Sequence, residues 1–262
     1  MAKIITIANQ KGGVGKTSTT YNLGGALAEM GKKVLLVDLD PQGNLTMNFG
    51  VERPSELTMP MHTILSFILD GKELPDKNNY ILRGNKLDII PCNVNLSVTE
   101  INLSNEMGGE RTIRELLKPL RSDYDYILID TTPSLGMLTI NALAACDEVI
   151  IPVSPQLWSA TGLTDLMQTI AKVKQRKINT RINIMGILLT ICDERTRLFR
   201  DAKKLLEDFC NDKIKIFDTR IPDTVRVGEA NYASQSIIEF DAGSKAAVAY
   251  ENFALEVIKH GS

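Results

Sequence analysis

Gln10-Lys11-Gly12-Gly13-Val14-Gly15-Lys16-Thr17-Ser18 stands between an apolar run at residues 4–8 and a segment of helical periodicity. That order reads as a strand, a glycine-rich turn and a helix start. Glycines let successive backbone N–H groups turn inward around an anion, and the following helix presents the positive end of its dipole. Lys16 is placed to reach the outer phosphates of a nucleotide, and the Thr17 hydroxyl to ligate Mg²⁺. Gly12, Gly13, Val14, Gly15 and Ser18 supply the rest of the cradle. The first glycine of the pattern G-x-x-x-x-G-K-[ST] is replaced here by Gln10, and a second lysine, Lys11, stands five residues before Lys16.

Two further strand ends carry acids. V-L-L-V-D-L-D-P-Q-G-N-L-T at 34–46 is an apolar strand ending in Asp38, with Asp40 on the outgoing loop. Y-D-Y-I-L-I-D-T-T-P at 124–133 is another, ending in Asp130. As parallel neighbours these strands would bring all three carboxylates to the sheet edge that holds Lys16 and Thr17. An oxygen-only set of one hydroxyl and water-bridged carboxylates suits Mg²⁺. A lone carboxylate at a strand end is as readily a cap or turn former; three beside a phosphate loop point to chemistry.

Strand candidates recur at residues 3–8, 33–38, 87–91, 126–130, 148–152 and 182–190, with a weaker one at 214–217. Helical patterns occupy 17–30, 111–121, 136–145, 160–177, 195–211 and 244–259. This alternation of continuous, β-branched strands with helices predicts an α/β fold: a mostly parallel sheet covered on both faces. In such folds ligands bind at the carboxyl ends of the strands, where the glycine loop sits. Residues 50–80 are irregular, with Pro54, Pro60, Pro75 and a short amphipathic piece at 61–69, and read as an insertion in a single domain spanning 1–262.

Among 262 residues, 44% are hydrophobic and 24% charged, which is ordinary for a globular chain with an ample core. The formal charge of -2 gives no global attraction for nucleic acid. Residues 171–226, however, hold 14 Lys+Arg against 8 Asp+Glu, a local +6. Cys92, Cys146, Cys192 and Cys210 are widely spaced with no C-x-x-C, which reads as reduced core thiols, not a metal or iron–sulfur site. With a strand at its opening, no signal peptide is expected, and no apolar run approaches the ~20 residues that span a bilayer. A cytoplasmic location is the expectation.

The segments together resemble the ParA/MinD group of deviant-Walker ATPases over nearly the whole chain. N-Q-K-G-G-V-G-K-T-S at 9–18, V-D-L-D-P-Q-G-N at 37–44 and D-T-T-P-S-L-G at 130–136 are similar to ParA (Soj-type) partition proteins in particular. So are G-I-L-L-T-I-C-D-E-R-T at 186–196 and I-P-D-T-V-R-V-G-E-A at 221–230. The resemblance implies a P-loop NTPase-like fold, ATP and Mg²⁺ as cofactors, and slow, adaptor-stimulated hydrolysis. Lys11 would cross the interface of an ATP-sandwich homodimer to the partner's phosphates, while Lys16 and Thr17 serve their own subunit. Asp40 would polarise the attacking water, with Asp38 and Asp130 supporting the metal, and the loops around Asp40 and 131–136 would sense the γ-phosphate. Asp193, Pro222 and Asp223 match stretches that cradle adenine. The implied partners are non-specific DNA, bound with ATP at the nucleoid, and a ParB-like adaptor.

For DNA, Arg197, Arg200 and Lys204 can share one helical face, joined by Arg195, Lys203 and Arg226, whereas Leu198, Phe199, Ala202, Leu205, Leu206 and Phe209 form the apolar stripe. The bland alternative is a solvated helix face. Where ParA proteins commonly carry I-P-R-N-V-R, Asp223 takes the first arginine position, which suits adenine better than a phosphate backbone. The loop at 154–158 also departs from the acidic–aromatic form of chromosomal relatives. The last helix sets Glu251 and Glu256 outside a core-like stripe, which argues against a membrane anchor. No helix-turn-helix is expected ahead of the phosphate loop. Positioning of another cargo (a division site, carboxysome or chemoreceptor array) uses the same motifs. A metabolic P-loop ligase is a more distant alternative, and a nitrogenase-reductase-like electron carrier lacks suitably flanked cysteines.

Overall fold

The computed structural model describes residues 1–156 and 158–260; Leu157, within the 154–158 loop, and Gly261 and Ser262 lie outside the described residues. The strands are β1 (Lys3–Ile7), β2 (Val34–Leu39), β3 (Leu82–Arg83), β4 (Leu87–Ile90), β5 (Tyr126–Thr131), β6 (Glu148–Val153), β7 (Asn183–Cys192) and β8 (Ile216–Pro222). They form one sheet in the order β3-β4-β2-β5-β1-β6-β7-β8. Every pairing is parallel except the short β3–β4 hairpin at one edge. The chain is thus an α/β fold with a mostly parallel sheet, as its alternating pattern predicts, and it has the P-loop NTPase-like architecture that the resemblance implies.

The helices are α1 (Lys16–Glu29), α2 (Asn44–Asn48), α3 (Met61–Leu69), α4 (Leu96–Asn105), α5 (Thr112–Leu117), α6 (Met137–Ala145), α7 (Ala160–Gln175), α8 (Arg197–Cys210), α9 (Val225–Tyr232), α10 (Ile237–Phe240) and α11 (Lys245–His260). Apolar residues of α3 to α8 pack on one face of the sheet, and those of α1, α2 and α9 to α11 on the other. Because β1, β2 and β5 lie between two helical layers, their side chains are buried on both sides, which explains their unbroken apolar runs.

Several expectations shift on contact with the packing. The amphipathic piece within the irregular stretch at 50–80 forms α3, and its Met61, Ile64 and Leu65 are fully buried in the same core as β2 and β4. The helix expected from residue 195 starts at Arg197, because the Thr196 hydroxyl caps it by accepting the Phe199 N–H at 3.2 Å. Its apolar face is narrower than the spacing suggested. Phe199, Ala202 and Leu206 are buried, whereas Leu198 and Leu205 are 54% and 55% exposed, one edge of the stripe rotated into solvent. Glu256, expected on the outer face of α11, instead accepts the N–H groups of Asp218 and Thr219 at 3.1 and 2.8 Å. It thereby satisfies donors on β8, the edge strand. The four cysteines are free and buried.

Two glycines in the middle of α1 mark close approach. A Cβ on Gly24 would lie 2.9 Å from Leu36 Cδ2 of β2, and one on Gly25 2.7 Å from Ser236 Cβ before α10. The helix therefore lies close to the strand beside it, which brings its first turn against the ends of β2 and β5.

Candidate functional site

The phosphate loop joins β1 to α1 along the carboxyl edge of the sheet. Gly15 caps α1 at φ 79, a left-handed conformation that a side chain would strain. The loop is pinned from outside: Asn9 donates to the Pro152 carbonyl at 2.8 Å and accepts the Lys11 N–H at 3.0 Å. Thr190 of β7 donates to the Val14 carbonyl at 2.8 Å. These contacts hold a run of peptide N–H groups in place before any anion arrives, so the ordering cost is met in folding.

The two loop lysines have different environments. Lys16 is buried and its amine donates to the Lys11 carbonyl at 2.9 Å, inside its own loop. Burial lowers its pKa, and the charges of Asp130 and Asp40 oppose that shift. Lys11 is exposed, and no partner of its side chain is found among the described residues.

The parallel pairing of β2 with β5 sets Asp38 directly beside Asp130, both wholly buried. Thr17 donates to Asp130 at 2.7 Å and Thr20 at 3.4 Å. Burial, then the neighbouring Asp38, pushes Asp130 up to about 8, while the Thr17 hydrogen bond and Lys16 pull the other way. Asp38 is raised as well, chiefly by burial. Two acids, the hydroxyls of Thr17 and Thr20 and a single lysine form an oxygen-rich site short of positive charge.

The Asp38 carboxylate is bonded by the segment that follows β2. One of its oxygens accepts the Asp40 N–H at 3.1 Å. The other accepts both the N–H and the hydroxyl of Thr46, at 2.8 and 2.7 Å. It faces the loop it supports. Asp40 accepts the Gln42 N–H at 3.0 Å, and its charge is felt by Lys16. No group of three or more His, Cys, Asp or Glu that could hold a metal ion occurs among the described residues.

A cleft of about 210 Å³ opens beside Gly15 and Ser18, lined also by Thr190, Pro222, Asp223 and Asn231. Its size and position suit a base whose phosphates lie in the loop. Pro222 and Asp223 are there; Asp193 is not among the lining residues. Arg195 grips the Asp193 carboxylate through two bonds of 2.8 and 3.0 Å, which lowers the Asp193 pKa. Asn231 and Thr190 are cleft residues that sequence reading missed. Nothing local distinguishes either: Thr190 lies on β7 and Asn231 on α9, and only the fold brings both to Gly15.

Of the six cations considered for DNA, four already face acids. Arg195 meets Asp193, Arg197 meets Asp201, Lys203 meets Glu207, and Arg226 meets Glu229 and Asp241. Arg200 and Lys204 are exposed, with no side-chain partner found among the described residues.

A family model described as an AAA domain matches residues 2–184. The chain is 42% identical to the sporulation initiation inhibitor protein Soj of Bacillus subtilis, covering 100% of both sequences. It is 37% identical to the chromosome partitioning protein ParA of Caulobacter vibrioides, over 98% of this chain and 94% of that one. Among solved structures, a cobyrinic acid a,c-diamide synthase from Mycobacterium smegmatis with bound ATP analog and magnesium superposes with a TM-score of 0.87. It is 33% identical and covers 100% of this chain and 96% of that chain. Among the described residues no helix is long and apolar enough to cross a membrane. With its two-lysine phosphate loop, its paired strand-end aspartates and these full-length likenesses, the chain belongs to the ParA/Soj family of deviant-Walker P-loop ATPases.

Proposed function

We propose that this chain binds ATP with Mg²⁺, closes as a homodimer, holds DNA without sequence preference and releases it on hydrolysis prompted by a ParB-like adaptor. The observation that carries the reading is the division between the loop lysines. Lys16 is buried and turned into its own loop, whereas Lys11 is exposed and free to serve phosphates outside it. A lysine supplied across an interface makes dimerisation depend on the γ-phosphate, and hydrolysis removes the bridge.

The pocket fits Mg²⁺ on chemical grounds: the Thr17 hydroxyl and buried, charge-starved Asp130 are hard oxygen donors, with phosphate oxygens and water completing a shell. Bound there, the ion would neutralise charge developing on the phosphates. Lys16 holds the β- and γ-phosphates, and the loop N–H groups orient them. Asp40 holds the attacking water. The water oxygen bonds to the γ-phosphorus as the bridging bond to ADP breaks, and one water proton passes to the phosphate formed. No strong base stands nearby, so catalysis is mainly positioning and charge stabilisation, and unstimulated turnover is slow.

The test is a gel shift on arbitrary duplex DNA with ATP, with ADP and without nucleotide. Retardation with ATP alone supports the reading; equal retardation in all three lanes, or none, rejects it. Positioning of a different cargo would share these residues, and the neighbouring gene separates it from DNA partition. A metabolic ligase, the reading suggested by the synthase named above, gives no nucleotide-dependent shift.

A further inference from the structure

Thr46, on the short helix α2, links the ends of two adjacent strands. Its hydroxyl donates to Asp38 at the end of β2 and accepts the Cys92 N–H, at 3.0 Å, just beyond β4. The Cys92 thiol in turn donates to the Asp40 carbonyl at 2.8 Å. Both peptide groups flanking the Asp40 side chain are therefore fixed, its N–H by Asp38 and its C=O by the Cys92 thiol together with the Gly43 N–H, also at 2.8 Å. Thr46, Asp38 and Cys92 are all fully buried, where a hydrogen-bond network is rigid and an unpaired member costly. Of the Asp40 carboxylate, one oxygen is occupied by the Gln42 N–H; the other accepts from no donor found among the described residues.

We propose that Thr46 is a positioning residue for hydrolysis, clamping the loop so that Asp40 keeps one free oxygen aimed by a fixed backbone. The inference rests on the reading that Asp40 holds the attacking water. It assigns Asp38 to the same clamp and gives the buried thiol of Cys92 a mechanical part. The clamp also ties the loop after β2 to that after β4, so a movement of either is transmitted to the other.

Thr46→Val keeps the side-chain shape and deletes the hydroxyl, leaving the Cys92 N–H unpaired and Asp38 with one donor fewer. A misplacement of this kind costs roughly ten- to a hundred-fold in kcat, with the affinity for a non-hydrolysable ATP analogue unchanged. Thr46→Ser is expected to restore turnover. In an Asp40→Ala background, Thr46→Val should cause no further loss, because a residue acting through Asp40 has nothing left to position. Full turnover in Thr46→Val, failure of Thr46→Ser to rescue, or an additive loss in the double variant would overturn the proposal. If circular dichroism shows Thr46→Val unfolded, Cys92→Ala carries the test: reduced kcat with retained analogue affinity supports the clamp, and unchanged kcat removes it. Wild-type hydrolysis by Asp40→Ala alone would instead sink the underlying assignment of Asp40, a distinct failure.

Discussion

Asp38 and Asp130 are register partners on adjacent parallel strands, both without solvent exposure, yet they accept hydrogen bonds from different parts of the chain. Asp38 is turned to the loop that carries Asp40 and Thr46; Asp130 is turned to Thr17 and Thr20 of α1. Two like charges cannot both be held cheaply in so dry a place. Burial raises the pKa of both carboxyls, so a cation that binds beside them is expected to displace a proton.

Asp130 makes that coupling measurable. Its pKa in the folded chain is about 8 against an ordinary 3.8, so between those values the folded chain binds more protons than the unfolded one. Stability from this group is therefore lost as pH rises through that window. The melting temperature of the nucleotide-free protein should fall between pH 6 and 8.5 more steeply than that of Asp130→Asn. Binding of nucleotide with Mg²⁺ at pH 7 should release about one proton, seen by calorimetry in buffers of different ionisation enthalpy. Asp130→Asn should release none.

Lys11→Ala and Lys16→Ala should fail at different stages. Lys16 lies within its own loop, so its loss should abolish nucleotide binding and dimerisation together. Exposed Lys11 has no side-chain partner among the described residues, and its loss should spare nucleotide binding while preventing the dimer. Fluorescent-nucleotide titration beside light scattering reads both; identical behaviour of the two variants would remove the division of labour.

Pairing ranks the cations considered for DNA. Arg200 and Lys204 should dominate DNA binding, since Arg195 and Arg226 must first break bonds to Asp193 and Asp241. Arg200→Glu with Lys204→Glu should weaken binding equally across sequences and reduce the slope of log affinity against log salt by ~0.9 for each phosphate no longer neutralised. Arg195→Glu and Arg226→Glu should each do less. A larger effect from the paired arginines would place the DNA surface elsewhere.

Gly25→Ala tests the close approach of α1 to the segment before α10. The added Cβ would lie 2.7 Å from Ser236 Cβ, and overpacking of this sort costs ~1–3 kcal/mol in a denaturant melt. A neutral outcome would show that the segment yields.

Sequence periodicity reached the main parallel strands because each is apolar on both faces, and it reached the phosphate loop because glycine, lysine and threonine occur there in fixed order. The short elements were less legible. β3 spans two residues and exists through pairing with β4, and α2, α9 and α10 are too short to establish a period. Ser236 and Glu239 did carry a signal, a reciprocal capping box at the start of α10, that went unread. The spacing of acids brought Asp38, Asp40 and Asp130 to one sheet edge correctly. It could not tell that Asp38 is occupied by Thr46, or that Arg195 neutralises Asp193, because side-chain pairing depends on loop paths that no local pattern encodes.

Whether two subunits close around bound nucleotide is decided by sedimentation of the purified chain with a non-hydrolysable ATP analogue and Mg²⁺, compared with ADP. A dimer with the analogue and a monomer with ADP is the expected result. A chain that remains monomeric at saturating analogue would refute the closure.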